Sequence, residues 1–282
     1  MSLLVKQDEK PLPQFSVLMS VYFKEKPQYL RSSLESVFHQ TLPATEVILV
    51  CDGPLTPELY NIIDTYKSNY PSLKTIQLEK NGGLGNAMNI GLKHCQYELI
   101  IRMDTDDIAY PQRFYKQVKT MYERPDIDVM SSYIDEFIDN PQKIESVKRL
   151  PTNDIKLAKY SKYRCPVNHP SSIFRKKSII ESGGYRHMLY FEDYFLWARV
   201  LMNGGKLYCM PESLLAFRMN KDTYERRRGL KYIKCELYLQ KELHQIGFTN
   251  TYEYIRNLFL RVPPRLLPSN FLSLIYKRLL RR

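Results

Sequence analysis

Apolar residues come in short unbroken runs, separated by stretches where they recur every third or fourth position. Phe15 to Tyr22, Glu46 to Cys51, Leu73 to Leu78, Tyr97 to Met103 and Ile127 to Ser132 are runs whose lengths suit buried strands. Between them, Pro27 to Gln40 carries Leu30, Leu34, Val37 and Phe38 on one helical face. Thr56 to Tyr70, Leu84 to Cys95 and Pro111 to Glu123 also read as helices, the last with proline at its first position. Strands apolar along their whole length, alternating with helices, predict an α/β fold with a mostly parallel sheet flanked by helices. The pattern loosens after Asp135. Asn140 to Arg164 reads as an irregular polar excursion, and a helix starts near Arg175. Gly183-Gly184 marks a turn, Glu192 to Met202 a helix, Lys206 to Met210 a short strand, and the chain from Lys221 is helical and basic.

Composition narrows the class. With 282 residues, 44% of them apolar, the chain can bury a sizeable core. A net charge of +12 points to an anionic partner: nucleic acid, anionic lipid or a phosphorylated substrate. The cysteines stand singly, without a CxxC pair, so a zinc site or disulfide framework is not expected and a reducing compartment fits. No signal peptide is expected, and no apolar stretch reaches the roughly 18 to 20 residues that span a bilayer. Tyr254 to Arg282 interleaves arginine and lysine with leucine, isoleucine and phenylalanine and has no acid, a pattern that suits an interfacial helix on an anionic leaflet.

Four places carry candidate chemistry. Asp104, Asp106 and Asp107 follow the run Leu99-Ile100-Ile101-Arg102-Met103, which puts clustered carboxylates at a sheet edge. Such a cluster repels itself unless something positive binds, and a divalent cation carrying a diphosphate answers that need. Asp52, before Gly53 at the end of the second run, is placed to accept hydrogen bonds from a base or ribose, or to shape a turn. Asn81-Gly82-Gly83-Leu84-Gly85-Asn86 enters a helix, where backbone can approach a phosphate closely, although it is neither a P-loop nor a GxGxxG. Glu192-Asp193 opens a helix, as acids commonly do, and could equally supply a general base.

These pieces in this order, from about Phe15 to Arg218, resemble family 2 glycosyltransferases of the GT-A fold, and more narrowly the bacterial enzymes that build O-antigen and exopolysaccharide repeat units. The resemblance rests on Ser16 to Tyr22, Leu34 to Thr41, Val50-Cys51-Asp52-Gly53, Asn81 to Gly85, Arg102 to Asp107, Asn168-His169-Pro170-Ser171, Gly183-Gly184-Tyr185 and Glu192 to Trp197. It implies roles by position. Val21, Tyr22 and Glu25 would line a uridine pocket and Asp52 would pair with uracil or ribose, with Gly83, Asn86 and Thr105 also on the nucleotide-sugar. Asp104 and Asp106 would form the DxD motif that holds Mn²⁺ or Mg²⁺ on the diphosphate, and Asp193 would be the base of an inverting displacement. His169, Glu192 and Trp197 are expected on the acceptor side. Arg226 and Arg227, beside Arg228, could hold an acceptor diphosphate, because guanidinium pairs well with phosphate oxygens. Two positions depart from the family pattern: Cys51 stands where many members have an acid, and Met88 where many have arginine, which would leave the diphosphate one cation short.

The expected organisation is an extension (1–14), a GT-A domain (15–220, nucleotide half 15–107 and acceptor half 108–220) and a basic membrane-associating segment (221–282). The expected activity is transfer of a hexose, glucose or galactose favoured, from a UDP-sugar in β linkage to a polyprenol-diphosphate-linked sugar. The expected place is the cytoplasmic face of the bacterial inner membrane, peripherally attached. A nucleotide-sugar-binding module without catalysis and a nucleic-acid-binding protein are the alternatives. The joint presence of Asp104, Asp106 and Asp193 argues against the first, and the lack of a nucleic-acid motif against the second.

Overall fold

The computed structural model of the chain describes residues 11–219 and 229–266. Strands β1 (Phe15–Val21), β2 (Glu46–Cys51), β3 (Leu73–Gln77) and β4 (Leu99–Asp104) lie parallel in the order β3-β2-β1-β4. Alternate side chains of a strand point to opposite faces, which is why these runs are apolar throughout. On one face Val17, Met19, Val47 and Leu49 share a core with Leu30 and Leu34 of α1 (Pro27–Phe38) and Leu59 and Ile63 of α2 (Pro57–Asn69). On the other face Leu18, Ile48 and Val50 pack with Ala87, Met88 and Leu92 of α3 (Leu84–His94).

Beyond β4 the sheet is mixed. Among the described residues it continues with β8 (Ile173–Arg175), antiparallel to β4, then β6 (Val129–Phe137), antiparallel to β8, and β9 (Leu207–Arg218), parallel to β6. β5 (Ile108–Ala109) closes that edge against β9, and β7 (Ser146–Lys148) pairs with β6. Expectation and structure part at several elements. The stretch read as irregular holds β7 and α5 (Asp154–Ser161), whose first turn is capped by the Asn153 side chain accepting from the Lys156 amide at 3.1 Å. α4 (Arg113–Glu123) starts two residues after Pro111, whose carbonyl accepts from the Thr41 amide at 2.8 Å. The short strand expected at Lys206 to Met210 runs on to Arg218, with a register shift opposite Tyr133 where its exposed Pro211-Glu212 interrupts the apolar pattern.

α6 (Lys176–Glu181) and α7 (Glu192–Met202) follow, then α8 (Gly229–Gln245) and α9 (Thr251–Arg261). α8 is no loose tail. Its Tyr232, Leu239 and Leu243, with Phe248, form a core with Phe191, Tyr194, Phe195 and Ala198 around α7. Fully buried Glu236 accepts hydrogen bonds from Arg261 (Nη2 at 3.0 Å), which ties α9 to α8. The described part of the expected membrane-associating segment, residues 229–266, therefore packs on α7. Among the described residues no helix is long and apolar enough to cross a membrane. Arg226, Arg227, Arg228 and the terminal stretch 267–282 lie outside the described residues.

Candidate active site

The parallel register brings the ends of β1, β2 and β4 together: Ser20 pairs with Asp104, and Val21 with Cys51. Asp52, just past β2, is 3% exposed, and its carboxylate is already engaged. The Gly82 amide donates to Oδ1 at 2.8 Å and the Gly83 amide to Oδ2 at 3.0 Å. Asp52 thus fixes the glycine loop directly. Gly53 lets the chain turn there: its φ is +88°, and a Cβ would lie 2.6 Å from the Asn81 backbone nitrogen. The loop delivers Gly83 as the N-cap of α3 with no side-chain cap, so amides of the first turn are left for an anion. Asn86 is exposed on that turn.

Two of the positions singled out in the sequence lie in the core. The Val21 side chain is fully buried in the core and its carbonyl accepts from the Asp52 amide at 2.8 Å, while Tyr22 is exposed and Glu25 half-buried just beyond this strand end. Met88 is also fully buried, packed under α3 against the sheet. It is a core position beneath α3.

Carboxylate oxygens of Asp104, Asp106 and Asp107 all lie within 4.8 Å of one another. They are not equivalent. Asp104 takes both guanidinium nitrogens of Arg102, a side chain only 2% exposed. Among the described residues no salt bridge reaches Asp106: burial, then Asp104, then Glu25, push its carboxyl up to about 7 against the pull of Arg102. Asp107 is fully buried and held well above the usual carboxylate range by burial and by Asp106. Its Oδ1 accepts from the Arg218 amide at 2.8 Å, while its Oδ2 has no hydrogen-bond partner among the described residues. Two uncompensated carboxylates and an orphaned oxygen fit a hard divalent cation. Around them, Thr105 donates to Glu25 at 2.7 Å, and Arg218 Nε donates to the Asp106 carbonyl at 2.9 Å.

Asp193 approaches from α7. A Cβ on Gly85 would lie 3.4 Å from both Glu192 Cγ and Tyr185 Cβ, so α7 begins against the first turn of α3. Asp193 Oδ1 accepts from the Tyr194 amide at 2.7 Å, and the Cys165 thiol lies 3.6 Å from Oδ2. Burial raises its carboxyl, and the Tyr194 amide, Lys148, Cys165 and Arg102 pull the other way. Glu192 is pushed up to about 7 by burial, with Asp193 adding to it. Arg102 therefore acts electrostatically on both carboxylate groups.

His169 and Trp197, expected on the acceptor side, are both buried. Trp197 is fully buried, because α7 reads apolar around nearly its whole circumference and sits centrally. His169 is 7% exposed, held well below its usual pKa by burial, and bonded through Nε2 to the Tyr185 hydroxyl at 2.9 Å. It positions Tyr185, whose backbone is clamped by both ends of the Asn89 amide. Sequence reasoning missed Arg102, Arg218, Lys148 and Cys165 as site residues. Arg102 had a signal, since a charge inside an apolar strand needs a partner.

The description "Glycosyl transferase family 2" matches residues 16–184. The chain is 38% identical over 96% of its length to a UDP-Gal:alpha-D-GlcNAc-diphosphoundecaprenol beta-1,3-galactosyltransferase of Escherichia coli, covering 98% of that protein. It is also 38% identical over 94% of its length to the amylovoran biosynthesis glycosyltransferase AmsE of Erwinia amylovora, covering 98% of it. Among solved structures it superposes on the mannosyltransferase PcManGT of Pyrobaculum calidifontis, in complex with GDP-Man and Mn²⁺, with a TM-score of 0.64. That match has 16% identity and covers 95% of this chain and 79% of the other; it shows the shared GT-A-like fold.

Proposed function

The chain belongs to glycosyl transferase family 2, and from that premise we propose that it transfers a hexose from a UDP-sugar, in β linkage with inversion, to a sugar carried on polyprenol diphosphate. The observation that carries this reading is the meeting of three parts: the carboxylate cluster after β4, the uncapped start of α3, and Asp193 at the start of α7 against α3. The names of the two relatives, one a UDP-Gal transferase acting on a lipid-diphosphate GlcNAc and one an exopolysaccharide enzyme, support the donor and acceptor classes.

In this reading Tyr22 and Glu25 border the base and ribose, and Asp104, oriented by Arg102, accepts a ribose hydroxyl. The first amides of α3 face the diphosphate. Mn²⁺ or Mg²⁺, held by Asp106 with Asp104, would supply a Lewis acid for charge growing on the departing diphosphate. Asp193 takes the proton from the acceptor hydroxyl, whose oxygen bonds to the anomeric carbon as the bond to UDP breaks. Its raised pKa makes it a stronger base than an exposed aspartate. In this reading the enzyme meets its lipid-linked acceptor at the cytoplasmic face of the membrane, attached peripherally. The test is transfer from a panel of UDP-sugars to a synthetic lipid-diphosphate GlcNAc, with and without EDTA. Turnover with UDP-Gal or UDP-Glc that EDTA abolishes supports the reading; no transfer from any UDP-sugar, or full turnover in EDTA, overturns it.

A further inference from the structure

A second charged cleft lies away from the carboxylates, along the far side of α7. Its volume is about 290 Å³, and Gly183, Arg186, Arg199, Met202 and Ile246 help to line it. Arg199 is 7% exposed. Its guanidinium donates to three backbone carbonyls, those of Phe195 (3.2 Å), Ser182 and Gly184 (2.7 Å). These carbonyls orient the group without neutralising it. Burial, with the charge of Arg186 adding, lowers its pKa to about 10. A Cβ built on Gly183 would lie 3.2 Å from Arg186 Nη2 and 3.3 Å from Arg199 Nη1, so both guanidiniums converge on one point above a glycine with φ of +78°. Among the described residues no ion pair joins either to a carboxylate. The acid on the cleft's rim, Glu181, lies 3.8 Å from Lys177 instead.

We propose that this cleft is a binding site for a phosphate group, gripped between Arg186 and Arg199 over Gly183. Two convergent guanidinium forks match phosphate oxygens, and a buried cation without a counter-charge is costly until an anion supplies one. Met202, 48% exposed, and Ile246 offer an apolar wall beside the charge, which suits a phosphate attached to a hydrocarbon chain. The site shares its elements with the candidate active site. Gly184 and Tyr185 follow directly and are held by Asn89 of α3, while Arg199 lies on the helix that begins with Asp193.

The experiment is calorimetric titration of the full chain with inorganic pyrophosphate in EDTA, which silences metal-assisted binding at the carboxylates. A parallel arm uses sedimentation with phosphatidylglycerol or phosphatidylcholine vesicles. Arg186→Gln is the test variant, because the side chain is exposed and the fold does not depend on it; Arg124→Gln makes the same charge change elsewhere on the surface. Losing one charge-assisted fork should weaken binding by about tenfold or more. That loss in Arg186→Gln but not in Arg124→Gln supports the site, in the pyrophosphate arm for a free or ligand phosphate and in the phosphatidylglycerol arm alone for a lipid headgroup. Equal affinity of Arg186→Gln and the parent, or no binding in either arm, overturns it. Neither readout uses sugar transfer, so the outcome is independent of the proposed reaction.

Discussion

Asp193 and Glu192 are neighbours in one helical turn, and Asp193 has the Tyr194 amide on one oxygen and the Cys165 thiol against the other. Those contacts, with Lys148 and Arg102, favour the ionised form that a base requires against the burial that opposes it. Asp193→Asn should lower kcat by about 10² to 10⁴ while leaving the Kd for UDP near the parent value, measured by initial rates and calorimetry. Near-normal turnover in that variant, with Glu192→Gln inactive, would move the base to Glu192. Glu192 makes its own prediction through its pKa of about 7 against a usual 4.5. Below the lower value both folded and unfolded chains hold the proton. Between the two values the unfolded chain ionises first, so stability falls as pH rises, and it levels off above about 7. Glu192→Gln removes that dependence. Its Tm relative to the parent should therefore climb from about pH 5 to about pH 8, and a flat difference would show that the carboxylate is not strained by burial.

At the scale of elements, legibility followed continuity. β2 and α7 have the bounds the sequence suggests, Glu46–Cys51 and Glu192–Met202, because an apolar run or a helical period fills each without interruption. β9 was cut short at Met210 because Pro211 and Glu212, both exposed, break the run at the register shift. Strand direction beyond β4 had no local signal, since pairing is decided across the sheet. In the site, the carboxylates and the glycine loop were legible as residue types, but their partners were not. That Asp52 would be taken by the Gly82 and Gly83 amides depends on how β2 and the loop meet. Gly53 tests that junction. Gly53→Ala meets backbone at Asn81, which cannot swing aside as a side chain could. Strain at positive φ alone costs of order 1–3 kcal/mol. The variant should have a lower Tm and weaker UDP binding, because the shifted loop carries the α3 amides with it. Gly204→Ala is the control: φ is +83° with nothing within 4 Å of a Cβ, so it should lose stability and keep UDP affinity. Equal UDP binding in the two variants would detach the loop from the donor site.

For the whole molecule, the question is what a net charge of +12 does together with an apolar face that the fold leaves outside. α9 turns Asn257 and Arg261 inward, where Asn257 donates to the Lys162 carbonyl at 2.7 Å and Arg261 meets Glu236. Its opposite side presents Tyr252 (73% exposed), Ile255 and Phe259 (74% exposed), spaced by three and four residues, with Leu260 and Leu266 nearby. A packed helix that exposes such a stripe beside basic sequence matches the chemistry of an anionic leaflet: apolar groups enter the interface while arginine and lysine stay at the headgroups. We therefore expect the full chain to sediment with phosphatidylglycerol vesicles at low salt and to leave them at high salt, since the charged part of the attraction is screened. Phe259→Asp removes a large apolar contact and adds a repelled charge at an exposed position, so it should weaken vesicle binding by about tenfold or more without lowering Tm. Deleting residues 270–282 removes basic and apolar residues together and should release most of the protein while sparing UDP binding. If the parent stays in the supernatant at low salt, or if Phe259→Asp sediments as the parent does, α9 is not the surface that meets the membrane.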